Sequence, residues 1–196
     1  VSIPLRPSQK HQKLDETKDT TKTMELFEAL HTRRSIRKYQ DREIPSETVQ
    51  KLLAAAMMAP SAGDERPWQF VLVTDAQQKE RIKAAHPYAG MIRTAPLGIL
   101  VCGDLSKQKY EGFWPQDCSA AMQNLLLAAH ASGLGAVWAG VYPMEDRVKK
   151  FTEIFNLPDH IVPFALAVIG WPDQNPATQD RFEPERIHYN TWKEKE

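Results

Sequence analysis

Leu97-Gly98-Ile99-Leu100-Val101-Cys102 is a continuous apolar run introduced by Pro96 and closed by Gly103. A run of that length without a polar face reads as a strand buried on both sides, lying centrally in a sheet. Upstream of it, Trp68 to Val73, with its aromatic and β-branched residues, reads as another strand. Asp75 with Gln78 three residues on is a capping-box variant opening a short helix to about Ala85. Downstream, Asp117 to Ser132 has helical period, with Ala121, Leu125 and Ala129 repeating and Gly133 as its stop. Met122, Leu126, Leu127 and Ala128 leave that helix little polar face, so it is expected to be covered all round, partly in a subunit interface. Ala136 to Gly140 reads as a short strand, Met144 to Phe155 as an amphipathic helix, and Pro163 to Ile169 as a last apolar strand ending at Gly170.

The chain opens with a polar arm, residues 1–23, that does not resemble a signal peptide. It starts at Val1, which leaves an upstream targeting segment open. Thr23 can cap a first helix from Met24 to about Arg33, with Met24, Phe27 and Leu30 on one face. Ser46 can cap a second, in which Val49, Leu52, Leu53, Ala56 and Met57 share a face before Pro60 stops it. The expected organisation is therefore an arm, a domain over residues 24–171 and a C-terminal extension over residues 172–196. Ile187, Tyr189 and Trp192 make the tip of that extension too apolar to be free, and it is expected to pack on a partner subunit.

Composition excludes several functions. The 196 residues carry 25 Lys+Arg against 25 Asp+Glu, and the isoelectric point is near 7.2, so no global field attracts a nucleic acid. No apolar run approaches the ~20 residues of a membrane helix. Cys102 and Cys118, the two cysteines, sit in apolar stretches and read as buried thiols, which makes a reducing, cytoplasmic setting the default. There is no Walker-type phosphate loop, no paired His or Cys at metal-ligand spacing and no Gly-x-Ser-x-Gly elbow. A metal site and a hydrolase triad are not expected.

The positive signal is Arg33-Arg34-Ser35-Ile36-Arg37-Lys38-Tyr39. Guanidinium forks match phosphate oxygens, and a serine hydroxyl can complete such a shell. The same cluster is also what a helix C-terminus attracts through its dipole, and spacing does not separate the two readings. Ala59-Pro60-Ser61-Ala62-Gly63-Asp64-Glu65-Arg66-Pro67-Trp68 is turn-rich, and suits either an ordinary helix-to-strand link or close backbone approach to a flat ligand.

Taken in order, Arg-Arg-Ser-x-Arg-x-aromatic, Ala-Pro-Ser-x-Gly running into Pro-Trp, Gly-Leu-Gly-Ala-Val-Trp-Ala-Gly-Val from Gly133, and an arginine-bearing tail resemble the nitroreductase family of FMN flavoproteins. The resemblance runs from about Met24 to Trp192. It implies an α+β fold with a mixed central sheet flanked by helices, and a homodimer with interlocked C-terminal extensions and two FMN sites at the interface. It further implies hydride transfer from NAD(P)H to FMN, then two-electron reduction of nitroaromatics or quinones in a ping-pong cycle with no side-chain acid, base or nucleophile.

Residue by residue, the resemblance puts Arg33, Arg34 and Ser35 on the phosphate and ribityl chain, and Arg37 near the pyrimidine end of the flavin. Pro60, Ser61, Ala62, Gly63 and Asp64 reach it from the other subunit. Val137, Trp138, Ala139 and Gly140 flank the ring, and Arg181 returns to the phosphate. Asp64 and Arg66 stand where many members have Asn and Gln; a carboxylate only accepts, so Asp64 either accepts the flavin N3–H or turns away to Arg66. The short segment from Gly103 to Asp117 leaves no large lid and implies an open site. The alternatives are a reductive dehalogenase similar to iodotyrosine deiodinase, or a flavin-binding module without turnover.

Overall fold

The computed structural model describes residues 24–192. Five α-helices surround a sheet of four strands: α1 (Leu26–Thr32), α2 (Ser46–Met57), β1 (Trp68–Val73), α3 (Ala76–Ala85), β2 (Leu97–Asp104), α4 (Trp114–Ala131), β3 (Gly135–Gly140), α5 (Glu145–Phe155) and β4 (Ile161–Gly170). The strand order is β1-β2-β4-β3.

Every pairing of named strands is antiparallel, which corrects the expectation of a mixed sheet. Among the described residues the one parallel feature is an isolated bridge of Ser35 to Ala136, where the segment after α1 touches the β3 edge for one residue. There Ile36 N–H donates to Ala136 O at 3.0 Å. The β2–β4 ladder slips between Val101 and Cys102, where Pro163 in β4 has no N–H to donate and a bulge accommodates it.

β2 is buried throughout, as its apolar run predicts. Its odd residues Ile99 and Val101 face one core with α2 and α4, and Leu100 and Cys102 face a second core with α3 and α5. Both cysteines are buried and unpaired; burial pushes the Cys102 thiol up to about 12 and Cys118 higher still.

Local signals account for most boundaries. Asp75 caps α3 by accepting from Gln78 N–H at 2.8 Å. Two caps differ from expectation: Pro45 takes the cap position of α2, so that Ser46 is already helical, and α1 begins after Glu25 without a side-chain cap. α4 starts three residues earlier than its periodicity suggests, because Pro115 is suited to the first turn of a helix. The sheet and α2 bury much of α4 within one chain, leaving Ser119, Ala120, Gln123, Leu127 and Ala128 half-buried. α1 does the reverse: only Ala29 is buried, and Phe27 is 72% exposed.

Candidate flavin-phosphate site

The segment after α1 is built into the β3 edge by a missing side chain. A Cβ on Gly135 would lie 2.6 Å from Ile36 Cγ2, so the glycine admits Ile36 and holds residues 33–37 beside β3. Tyr39 adds a buried anchor, its hydroxyl donating to Val168 O at 2.9 Å. The chain beyond β4 then returns over this segment. Gln40 N–H donates to Trp171 O, Asp173 N–H to Lys38 O, each at 2.9 Å, and Arg37 N–H to Gln174 Oε1 at 3.0 Å.

Arg34 ties the assembly together. Its guanidinium donates to His31 O at 2.9 Å and Arg33 O at 2.7 Å, filling carbonyls that a helix end leaves unpaired, and reaches Ala177 O at 3.2 Å and Gln179 O at 3.3 Å. The arginine thus fixes the extension against α1. Arg33 lies close to both Arg34 and Arg181, and its guanidinium is held below its ordinary value by burial and by these two like charges. His130, at the end of α4, joins them: its Nε2 lies 2.7 Å from Thr32 Oγ1, and burial and Arg33 hold it below its usual value. Among the described residues no carboxylate pairs with Arg33, Arg34, Arg37 or Arg181.

The Arg33 guanidinium with Arg34 and Arg181 beside it, a half-buried Ser35 and, among the described residues, no carboxylate paired with these arginines leave Arg33, Arg181 and Ser35 as a donor set that a dianionic phosphate satisfies. Next to it runs β3, with Val137 and Ala139 buried and Trp138 and Gly140 partly open. A Cβ on Gly140 would meet nothing nearer than Trp138 Nε1 at 4.0 Å, so the backbone there is open to a flat ring. The Gly140 carbonyl is fixed from behind by His86 Nε2 at 2.8 Å and Arg147 Nη1 at 2.9 Å. His86 Nδ1 accepts from Tyr88 N–H at 3.1 Å, which makes Nε2 the protonated nitrogen of a neutral ring. These residues fit the phosphate and ring of FMN.

The second predicted segment is elsewhere. Pro60, Ser61, Ala62, Gly63 and Asp64 precede β1, on the sheet edge opposite β3. They contact the start of α4, whereas His130 marks its end, 13 residues and roughly 20 Å along the helix. One chain therefore does not bring the two halves of the predicted site together. Asp64 accepts two bonds of 2.6 Å from Arg66 Nε and Nη2, which is the second of the two arrangements open to it.

His86, Arg147 and His130 are not legible as site residues in sequence. His130 alone had a signal, as a cation in the last turn of a helix preceding Gly133. His86 meets Gly140 across 54 residues, and Arg147 reaches back across the seven-residue step from β3 into α5, which no hydrophobic period records.

The chain resembles known proteins over the same span. A relative from Methanothermobacter thermautotrophicus, named "Putative NADH dehydrogenase/NAD(P)H nitroreductase", is 54% identical over 169 residues, covering 86% of this chain and 88% of its own. A crystal structure bearing the same name from Parabacteroides distasonis superposes with a TM-score of 0.82 at 42% identity, covering 85% of this chain and 98% of that one. A chain from Desulfovibrio desulfuricans, named "putative nitroreductase in complex with fmn", superposes with a TM-score of 0.74 at 29% identity, covering 90% of this chain and 99% of that one. The sequence profile of the nitroreductase family matches residues 30–171. By family profile, by relatives and by fold, the chain belongs to the nitroreductase family.

Proposed function

We propose that this chain is an FMN-dependent oxidoreductase that takes reducing equivalents from NADH or NADPH and passes them to an electron-poor acceptor such as a nitroaromatic or quinone. The observation that carries the reading is the group of Arg33, Arg34 and Arg181 with no carboxylate against it, beside a strand whose Gly140 is open. The names of the relatives and the FMN complex among them support it.

Bound FMN supplies the hydride acceptance and two-electron delivery that no side chain here provides. The chain's own work is positional. Arg33, Arg181 and the Ser35 hydroxyl hold the phosphate, and Arg34 keeps the extension in place so that Arg181 stays within reach. Arg37 lies towards the pyrimidine end, where a fixed cation favours negative charge. Val137, Trp138, Ala139 and Gly140 form a floor for the ring, stiffened by His86 and Arg147 through the Gly140 carbonyl.

The working form in this reading is a homodimer in which Pro60, Ser61, Ala62, Gly63 and Asp64 of each copy complete the other copy's site. Support comes from the separation of the two halves within one chain and from apolar side chains left outside. Leu26, Phe27 and Leu30 on α1 are exposed, as are Met57 and Met58 at the end of α2 and Phe182, Tyr189 and Trp192 in the extension. Among the described residues no helix is long and apolar enough to cross a membrane.

Stopped-flow mixing of FMN-loaded protein with NADH or NADPH tests the reading. The visible flavin absorbance should fall within a turnover and recover when a nitroaromatic is added. A flavin that stays oxidised under both nucleotides would leave a binding module and end the enzymatic proposal.

A further inference from the structure

Two carboxyl groups unused by the phosphate site are buried against each other. Glu65, in the loop before β1, is 6% exposed, and Asp117, in the first turn of α4, is 5% exposed. Glu65 Oε2 accepts from the N–H groups of Lys109 at 2.7 Å and Tyr110 at 3.2 Å. Asp117 Oδ1 accepts from Ala62 N–H at 3.0 Å. Their other oxygens, Glu65 Oε1 and Asp117 Oδ2, are the buried side-chain polar atoms without a partner among the described residues. The two side chains lie within hydrogen-bonding reach of one another.

Ionised carboxylates only accept, so two of them face to face in a buried site leave both oxygens unsatisfied and two like charges in contact. A single proton between them satisfies both. We propose that Glu65 and Asp117 share one proton, and that this proton is what locks the loop of residues 61–66 onto the start of α4. The pair consists of positioning residues, since neither reaches the arginine cluster.

The loop needs such a lock. Gly63, Asp64 and Arg66 have φ of 52°, 55° and 46°, a left-handed backbone that persists at non-glycine positions only where the surroundings enforce it. A Cβ on Gly63 would lie 2.5 Å from Tyr110 Cε2, so the exposed Tyr110 ring of the 108–113 segment rests directly on the loop. The charged and titratable groups around the pair are few. Lys109 faces Glu65 from the 108–113 segment, its Nζ donating to Gly63 O at 2.7 Å. Asp64 and Arg66 on the loop bond to each other, and the buried Cys118 thiol follows Asp117 on α4.

The sign follows from the two environments. Burial, reinforced by Glu65, holds Asp117 above the usual carboxylate range. Against its own burial, the amides of Lys109 and Tyr110 hold Glu65 below that range. The lock is complete between the two ionisations and is lost as pH rises through the raised Asp117 value, when the second charge appears.

The connection to FMN rests on the reading above that this loop flanks the cofactor in the neighbouring copy, so the test separates the two. Amide protection factors of Ala62, Lys109 and Tyr110, corrected for intrinsic exchange, are measured by NMR on the full chain from about pH 4, the ordinary carboxylate value, up to about pH 9. In the wild type they should fall by about tenfold or more as the shared proton leaves. Asp117→Asn keeps the acceptor for Ala62 and offers an N–H to Glu65, so its protection should stay flat. Protection that ignores pH in the wild type, or falls equally in Asp117→Asn, overturns the proposal.

If that variant does not fold, Glu65→Gln makes the complementary exchange. The infrared spectrum of the wild type alone also decides: a buried carboxylic acid band should persist above the pH at which exposed carboxylates have ionised and vanish on the same titration, and a spectrum without it there overturns the shared proton. FMN affinity should fall with pH in the wild type alone. Constant affinity alongside falling protection removes the loop from the FMN site and leaves the shared proton standing.

Discussion

Arg33 stands beside Arg34 and Arg181 with its charge disfavoured by burial and by both neighbours, and among the described residues no acid relieves them. Such a cluster is a cost in the free protein that a phosphate dianion removes. Because a charge-assisted hydrogen bond is worth ~1.5–3 kcal/mol, Arg33→Ala should weaken FMN binding by one to two decades in a fluorescence titration. Arg34→Ala should weaken it too, with faster amide exchange through residues 177–179, because its guanidinium is spent on the carbonyls of Ala177 and Gln179. Unchanged exchange there would refute its tying role. His86 gives a pH dependence. Burial holds it below its ordinary value, and Tyr88 N–H already occupies Nδ1, so protonation sets two donors against each other. A histidine with a depressed folded value stabilises above its unfolded value and stops doing so as pH falls through the folded one. Thermal unfolding should therefore drop more steeply below about pH 6.5 in the wild type than in His86→Gln, and identical acid profiles would contradict it.

At the scale of elements, the helices and strands were largely written in local pattern. Val49, Leu52 and Ala56 are the buried face of α2, as their spacing requires. The unbroken apolar run of β2 is buried on both sides because helices cover both faces of the sheet. What stayed illegible depends on partners distant in the chain. Sheet direction is a property of pairing, and of the expected mixed sheet only the Ser35–Ala136 bridge is parallel among the described residues. His86 meets Gly140 across 54 residues, and Asp117 meets Ala62 across 55, so neither could be read from neighbours. The arginine cluster was legible because its members are adjacent, whereas the use of Arg34 as a tie depends on a tail that returns from 143 residues away. Packing density gives an element-scale prediction. A Cβ on Gly135 would press 2.6 Å from Ile36 Cγ2 in the buried bridge that carries the arginines. Gly135→Ala should lower stability by about 1–3 kcal/mol and weaken FMN binding together. Denaturant midpoints and a binding titration check this, and an unaltered affinity would show that the bridge does not set the arginines.

For the whole molecule, the decisive feature is that one chain keeps the two segments of the proposed site apart. The arginines and β3 lie at one sheet edge, and the loop of Pro60, Ser61, Ala62, Gly63 and Asp64 at the other. Phe27 and Trp192, 72% and 79% exposed, give each copy apolar surface to bury. Sedimentation of the wild type should therefore show a dimer at micromolar concentration, and Phe27→Asp should shift it towards monomer while weakening FMN binding. The account turns on the arginine cluster being a phosphate site for FMN, and equilibrium titration of the purified chain with FMN measures that directly. It predicts saturation at one FMN per chain, with affinity reduced by one to two decades in Arg33→Ala. No binding by the wild type, or equal binding by the variant, would contradict it.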